Sequence, residues 1–527
     1  MIKRQKIVSL FNVIYTAHLI LVLLVAFGFL PRMIIPFLTA ALAVYLLIIP
    51  VEDSAVYFVR SIPFFVAIPI FAGFDSFNMW RIFSILIFVR WGMNLINKND
   101  KSKFKISEIT KHPVLISLIF LLFLALLSIF VAQSPILAIK RIIYFTNLSL
   151  IGIVIWDLCR KNSSLTERII KNVMVPTILV TLLGFVQLAM TYFMDINQFA
   201  EFWARKVEFG LFGSAWAAIA IKANTWFAYF GDQLSLRMFS VFADSHSFPI
   251  FLLLGLPAVF AVSLRRVVVS GKGLKAMFLT RGSLWVVFVP AIFLAAILSG
   301  TRGIWAASLG AITMVFIVMF WIKRTPQVKY PPKADKLDIF KYVGSYLIFF
   351  FMLFLVAWPI FASPQFLMAK GDAAMMGKRV KSIIDFGETS NSQRIEIWKA
   401  SIQSIIKHPL LGVGIGNFPV VLGQDLALAK AGSSAHNLYL NIAAEMGILA
   451  LFAAFWFLWM LIKKVFYNFM NFDSPLKSVY FAACLIFIPW VLIYSLTDVA
   501  IFDERAFLLF VITAALIFSQ NKTRLNF

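Results

Sequence analysis

Long apolar runs constrain this chain more than any other feature. An α-helix needs roughly 20 apolar residues to cross a bilayer. By that ruler the sequence offers candidate spans at 7–30, 32–50, 55–74, 77–97, 113–132, 138–157 and 169–194, and again at 247–264, 284–299, 303–322, 342–362, 437–462, 476–497 and 504–519. Backbone immersed in hydrocarbon must satisfy its own N–H and C=O groups, so runs of this length fold as helices. Pro63 and Pro69 interrupt the third run, and 284–299 and 504–519 are short. The expected fold is therefore all-α, a polytopic integral membrane helix bundle of about 12–14 transmembrane helices. A chain that is 61% hydrophobic and only 14% charged is not a water-soluble globule. No internal repeat or low-complexity tract divides it, so residues 1–527 read as a single membrane domain.

The formal net charge of +24 could point to nucleic acid, but its distribution points to topology. Lys and Arg collect in the cytoplasmic loops of membrane proteins. Alternate connections here carry Lys98, Lys101, Lys103, Lys105 and Lys111; Arg160, Lys161, Arg168 and Lys171; Arg265, Arg266, Lys272, Lys275 and Arg281; and Lys323, Arg324, Lys329, Lys333, Lys336 and Lys341. These connections and both termini are expected in the cytoplasm. Lys3, Arg4 and Lys6 precede an apolar run too long for a secretory signal and lacking a small-x-small cleavage site, so it reads as a retained first helix. The opposite set of connections holds the two long loops, an interfacial loop at 195–246 and a loop at 363–436, which then face the periplasm or cell exterior. Cys159 and Cys484 sit beside a basic loop and inside an apolar span, so neither a disulfide nor a thiolate metal site is expected.

The first long loop contains Trp203, Trp216 and Trp226 among charges and glycines, the composition of a segment lying on the outer leaflet. It could serve as a lid over the bundle or take a direct part in holding a lipid. Arg237 follows it at the mouth of the next span, where an arginine commonly anchors by snorkelling. Arg302 lies in the tight turn SGTRGIW, residues 299–305, whose small neighbours Ser299, Gly300 and Gly303 would expose it to an anion. The second long loop carries a short amphipathic helix, since Ile395, Trp398, Ile402 and Ile405 share one face. Pro409 stops that helix at His408. After it come Gly412, Gly414 and Gly416, then His436 and Asn437 at the mouth of the apolar helix Leu438 to Ile462. The glycine run follows a helix, not a strand, so it is no dinucleotide fingerprint, though a backbone nest for phosphate is compatible with it. The adjacency of Asp244, Ser245 and His246 proves no triad, because a triad is spatial. Asp498, Asp503 and Glu504 make only a weak metal signal.

The SGTRG turn, the R-x-x-x-W helix of Arg394 and Trp398, HPLLGVGIGNF and AHNLYLNIAAEMGILAL, in that order, resemble the O-antigen ligase and O-antigen polymerase family over residues 299–460. That resemblance implies an integral membrane glycosyltransferase that moves a glycan from an undecaprenyl diphosphate carrier to an acceptor on the outer face of the cytoplasmic (inner) membrane. It implies His436 as the catalytic histidine and Arg302 and Arg394 as donor-diphosphate ligands. Arg237 is a further match, although RMFSVFADSHSF departs from the expected turn, and Asn437, Gly412 and Gly414 are supporting residues. Ala450 stands where a second glycine is common.

The chemistry of such a transfer suits these residue types. A diphosphate leaving group gathers negative charge that a metal or fixed cations must neutralise, and arginine does this with a permanent charge and a planar fork. A sugar hydroxyl attacks only as a base removes its proton, and histidine titrates nearest neutral pH. The expected enzyme is inverting, with no metal and no cofactor. Its partners are the carrier-linked glycan donor, a glycan or lipid-linked glycan acceptor and membrane lipids, with no nucleic acid. The expected activity is ligase-like, with a polymerase using a carrier-linked acceptor as the nearest alternative. A flippase or transporter for lipid-linked glycans would also combine many helices with diphosphate-facing arginines, but transporters commonly show internal symmetry and ionisable groups at mid-span.

Overall fold

The computed structural model describes residues 2–70, 77–97, 113–214, 217–218, 225–230, 233–270, 287–325, 336–368, 377, 380–381, 389–424, 433–472 and 474–520. In chain order its helices are α1 (Ile2–Ala26), α2 (Ile34–Ile48), α3 (Val51–Ser61), α4 (Met79–Asn97), α5 (Pro113–Leu127), α6 (Pro135–Lys161), α7 (Ser163–Met190), α8 (Ile196–Glu201) and α9 (Phe209–Phe212). They continue as α10 (Ser247–Ser270), α11 (Phe288–Leu298), α12 (Arg302–Arg324), α13 (Lys336–Ala362), α14 (Thr389–Lys407), α15 (Leu438–Met446), α16 (Ile448–Asn471), α17 (Pro475–Tyr494) and α18 (Glu504–Phe518). An antiparallel hairpin, β1 (Phe227–Phe230) and β2 (Gln233–Leu236), pairs Phe227 with Leu236 and Phe230 with Gln233.

Among the described residues nine helices are long and apolar enough to cross a membrane, and three shorter apolar helices, Leu10–Ala26, Ile34–Ile48 and Phe288–Leu298, accompany them. The protein is thus an all-α polytopic membrane protein, as its apolar runs require. The whole apolar stretch of α10 and 89% of that of α17 are buried in the protein, against 22% for α16, so α10 and α17 form the centre and α16 turns outward. α10 lies along α17 and α7, and α12 packs on the other side of α17. Gly303 lets α12 approach, since a Cβ there would lie 2.5 Å from Thr497 Oγ1 and 2.7 Å from the Tyr494 ring. Glycine in that turn therefore serves helix packing, and the anion-approach role expected for it is not needed to explain it.

Two expected spans are corrected. The run 55–74 is not a full span. It is the 11-residue α3, then a 3₁₀ turn at Ile62–Phe64 begun by Pro63, then extended backbone. That backbone is satisfied by protein, because Ala67 N donates to Leu211 O at 2.8 Å and Met79 N to Val66 O at 3.1 Å. Irregular backbone at membrane depth survives only with such partners. The run 437–462 is broken at Gly447, whose φ of +87° ends α15 and starts α16. A Cβ at Gly447 would lie 2.1 Å from Leu410 O, so only glycine fits the break.

The basic stretches 98–112, 271–286 and 326–335 lie outside the described residues, as do Trp216, most of 369–388, and 425–432. In the 195–246 segment, α8 begins with a capping box in which Asp195 accepts from Gln198 N at 3.0 Å. A π-helical turn, Phe202–Glu208, follows and packs with α9 against α1. Trp203 and Trp226 are buried, and Trp226 stacks on Phe239 at 4.6 Å. These two tryptophans face the protein, while Phe209 stays exposed.

Candidate active site

Five segments converge on one end of α12. Arg237 follows β2; Asp244 and His246 precede α10; Arg302 opens α12; His436 precedes α15; and Tyr494 and Asp498 end α17. α14 adds Arg394. Backbone bonds fix this convergence. Arg237 N donates to Trp226 O at 2.8 Å and Met238 N to Leu298 O at 3.0 Å, which ties the strand end to the turn carrying Arg302. Arg237 Nε donates to Ser299 O at 3.4 Å. Thr301 Oγ1 donates to Ser245 O at 2.8 Å, linking that turn to the segment of Asp244 and His246. Asp244 Oδ1 accepts from the backbone of His246 at 2.8 Å and of Ser247 at 2.7 Å, so it caps α10 and sets where His246 leaves the helix.

The His436 segment is held from both sides. Trp398, one turn after Arg394 on α14, donates from Nε1 to Ala435 O at 3.0 Å. Leu438 N donates to Ser495 O at 2.8 Å, joining the segment to the end of α17. Between these anchors His436 adopts φ +45°, a conformation rare for a residue with a side chain. Asn437 Oδ1 caps α15, accepting from Tyr439 N and Leu440 N at 3.0 Å each. The R-x-x-x-W spacing thus has a structural meaning. It puts Arg394 on the same helical face as the tryptophan that grips the chain beside His436.

His246 and Asp498 form the most direct polar contact in the site. His246 Nδ1 lies 2.5 Å from Asp498 Oδ2, while Asp498 Oδ1 accepts from Val499 N at 2.7 Å and Ala500 N at 3.0 Å. Burial favours protonation of Asp498, but His246 outweighs it, with His436 and Arg394 adding, and the carboxyl is held well below its ordinary range. An ionised carboxylate is acceptor-only, so His246 donates to it from Nδ1 and leaves Nε2 on the far side of the ring.

Burial lowers His436 below the usual imidazole range; Asp498 opposes this, and Arg394 and His246 reinforce it. Its Nδ1 is buried and has no hydrogen-bond partner among the described residues. Burial brings Arg237 down to about 10, with Tyr494 supporting its charge and Arg302 opposing it, and it stays a cation at neutral pH. These mutual influences place Arg237, Arg302, Arg394, His246, His436, Asp244 and Asp498 in one electrostatic field. It combines three guanidinium groups, two carboxylates and two imidazoles.

All four residues expected at the site, His436, Arg302, Arg394 and Arg237, are brought together, and Asn437 supports them as a helix cap. Gly412 and Gly414 act from behind. Gly412 N donates to His408 O at 3.1 Å, Val413 N to Ala444 O at 2.9 Å and Gly414 N to Glu445 O at 3.0 Å, so the run braces the α15–α16 break and its amides form no phosphate nest. The sequence alone sets His246 only beside Asp244 and Ser245, and Asp498 beside Asp503 and Glu504, and does not pair His246 with Asp498. The three carboxylates part company. Asp503 caps α18, and Glu504 accepts from Trp80 Nε1 at 2.7 Å and Asn78 Nδ2 at 3.0 Å. Among the described residues no three His, Cys, Asp or Glu side chains converge as metal ligands would.

Residues 286–455 match the family model described as O-antigen ligase. A comparison with curated proteins finds none that matches the chain. The matched segment runs from α11 into α16 and contains Arg302, Arg394 and His436, while Arg237, His246 and Asp498 lie outside it and complete the same site in space. The similarity to the O-antigen ligase family therefore lies in residues 286–455.

Proposed function

We propose that this protein is a ligase-like membrane glycosyltransferase that moves a glycan from an undecaprenyl diphosphate carrier to an acceptor on the outer face of the cytoplasmic membrane. The observation that carries this reading is the convergence of Arg237, Arg302 and Arg394, from three separate segments, around a histidine kept neutral by its surroundings. Three guanidinium groups suit a diphosphate, whose oxygens they bind in pairs. The acceptor hydroxyl oxygen attacks the anomeric carbon from the face opposite the carrier, and the bond from that carbon to the phosphate oxygen breaks. The diphosphate leaves with the electron pair, its charge neutralised by the arginines. His436 takes the hydroxyl proton, which its lowered basicity leaves it free to accept at neutral pH. One displacement inverts the anomeric centre, and fixed cations do the work that a divalent metal does elsewhere.

The basic residues support the orientation. α12 is 23 residues long, about 35 Å, with Arg302 at the site end and Lys323 and Arg324 at the other. α6 likewise ends in Arg160 and Lys161, while its opposite end is held by Ser134 N donating to Asn417 Oδ1 at 2.8 Å, on the site side. Positive residues mark the cytoplasm, so the site faces outward and both termini lie inside.

The test is His436→Ala in a purified transfer assay. The variant should insert and bind donor while turnover falls by roughly 10² to 10⁴. Turnover within a few-fold of the parent would remove His436 from the proton-transfer role.

A further inference from the structure

The site holds two imidazoles, and the one in direct contact with a carboxylate is not the one named by the family motif. His436 is pressed toward neutrality by burial and by Arg394, and among the described residues its buried Nδ1 has no partner to stabilise a positive ring. It can take a proton but is a poor place to keep one. His246 has the opposite surroundings. Its Nδ1–H is fixed on Asp498 at 2.5 Å, and Asp498 is itself fixed by two backbone amides. A carboxylate in that position selects the tautomer with a free Nε2 and stabilises the ring once Nε2 is protonated. His246 keeps 18% of its side chain accessible and Asp498 keeps 7%, so the imidazole is the member of the pair reached from the site.

We propose that His246, oriented by Asp498, is a second catalytic base, the group on which the acceptor hydroxyl proton finally rests during transfer. This rests on the glycosyl-transfer reading above. The balance is simple. As the acceptor oxygen bonds to the anomeric carbon and the carbon–phosphate oxygen bond breaks, the hydroxyl proton leaves through His436 and ends on His246 Nε2. His436 returns to neutral, and the imidazolium of His246 forms against Asp498. After the diphosphate departs, His246 gives that proton to water. The titratable and charged groups gathered at the site around it are Asp244 from its own segment, Asp498 and Tyr494 at the end of α17, His436 before α15, Arg394 on α14, Arg237 after β2 and Arg302 on α12.

His246→Asn tests the assignment, because the asparagine amide can still donate to Asp498 as Nδ1–H does while no Nε2 remains to take a proton. Purified parent and variant are assayed with carrier-linked glycan and acceptor across pH, with donor binding measured alongside. The variant is expected to bind donor within about threefold of the parent and to lose about 10²-fold or more in kcat at neutral pH, the usual share of acid–base catalysis. Its kcat should still be climbing between about pH 7 and about pH 9, where solvent must replace the missing base, while the parent has levelled off. A merely structural role would give the parent's pH profile at a scaled-down rate, and that result, or a kcat within a few-fold of the parent, overturns the proposal. Should His246→Asn fail to accumulate, Asp498→Asn answers the same question, and a parent-like kcat there overturns it equally. If the parent itself forms no product, the proposed function fails; product from the parent with an unimpaired His246→Asn contradicts this inference alone.

Discussion

His246 Nδ1 meets Asp498 Oδ2 at 2.5 Å across 252 residues of sequence. The contact joins the start of α10 to the end of α17, the two most buried helices of the bundle, so the polar site is built on its least yielding part. Leu438 N fastens the His436 segment to the end of α17, the Thr301 hydroxyl ties the Arg302 turn to the segment before α10, Met238 N ties Arg237 to the end of α11, and α14 closes over them through Trp398. A site carried on rigid elements can hold charges of like sign in a fixed arrangement, as recognition of a diphosphate demands.

Arginine, not a divalent metal, is predicted to carry that recognition. Arg302→Lys and Arg394→Lys keep the charge but lose the planar fork, and each should resemble its alanine variant, with turnover down by about 10². Turnover of the parent should persist in excess EDTA. Loss on chelation with recovery in Mg²⁺ or Mn²⁺ would refute the arginine mechanism.

Arg394 also sets the working range of His436. Burial is the larger cause of its lowered basicity, and the Arg394 charge adds to it. Taking that charge away in Arg394→Gln favours the protonated ring, so the acidic limb of the kcat profile should move to higher pH. A limb that stays put or moves downward would mean that Arg394 does not act on this histidine.

The helices were legible because hydrocarbon imposes a length and a composition on each crossing. Where the reading failed, a tertiary contact decided the outcome. Nothing in the apolar stretch around Gly447 announces that Leu410 O occupies the space of its missing side chain. α3 is a half-helix because protein, and not lipid, surrounds the chain after Pro63. The site divides the same way. Arg302, Arg394 and His436 stand in local motifs that can be recognised one by one, whereas the pairing of His246 with Asp498 leaves no local trace. Sequence proximity instead drew Asp498 toward Asp503 and Glu504, whose side chains turn to other partners.

Gly447→Ala should damage folding more than chemistry. A side chain forced into φ +87° and ψ 173°, a region that only glycine adopts readily, costs about 1–3 kcal/mol before any clash is counted, and here the new atom would also overlap Leu410 O. The expected result is a lower thermal midpoint in detergent and reduced accumulation, with near-parental turnover per folded molecule. Parental stability would show that the α15–α16 break tolerates a side chain.

Orientation can be read with cysteines placed at exposed, described positions. Gln393→Cys on α14 should react with an impermeant thiol reagent applied to intact cells, and Asn162→Cys between α6 and α7 should not. The reverse pattern would put His436 in the cytoplasm.

This site is predicted to make a glycosidic bond. Purified protein in liposomes, given undecaprenyl diphosphate-linked glycan and candidate acceptors, should release free carrier diphosphate in step with a new glycosidic bond of inverted configuration. A lipid A core acceptor consumed in that reaction supports the ligase-like reading, and a carrier-linked acceptor consumed instead makes the protein a polymerase. Movement of the intact carrier-linked glycan from one leaflet to the other, with no carrier released and no bond formed, would contradict the account and make the protein a transporter.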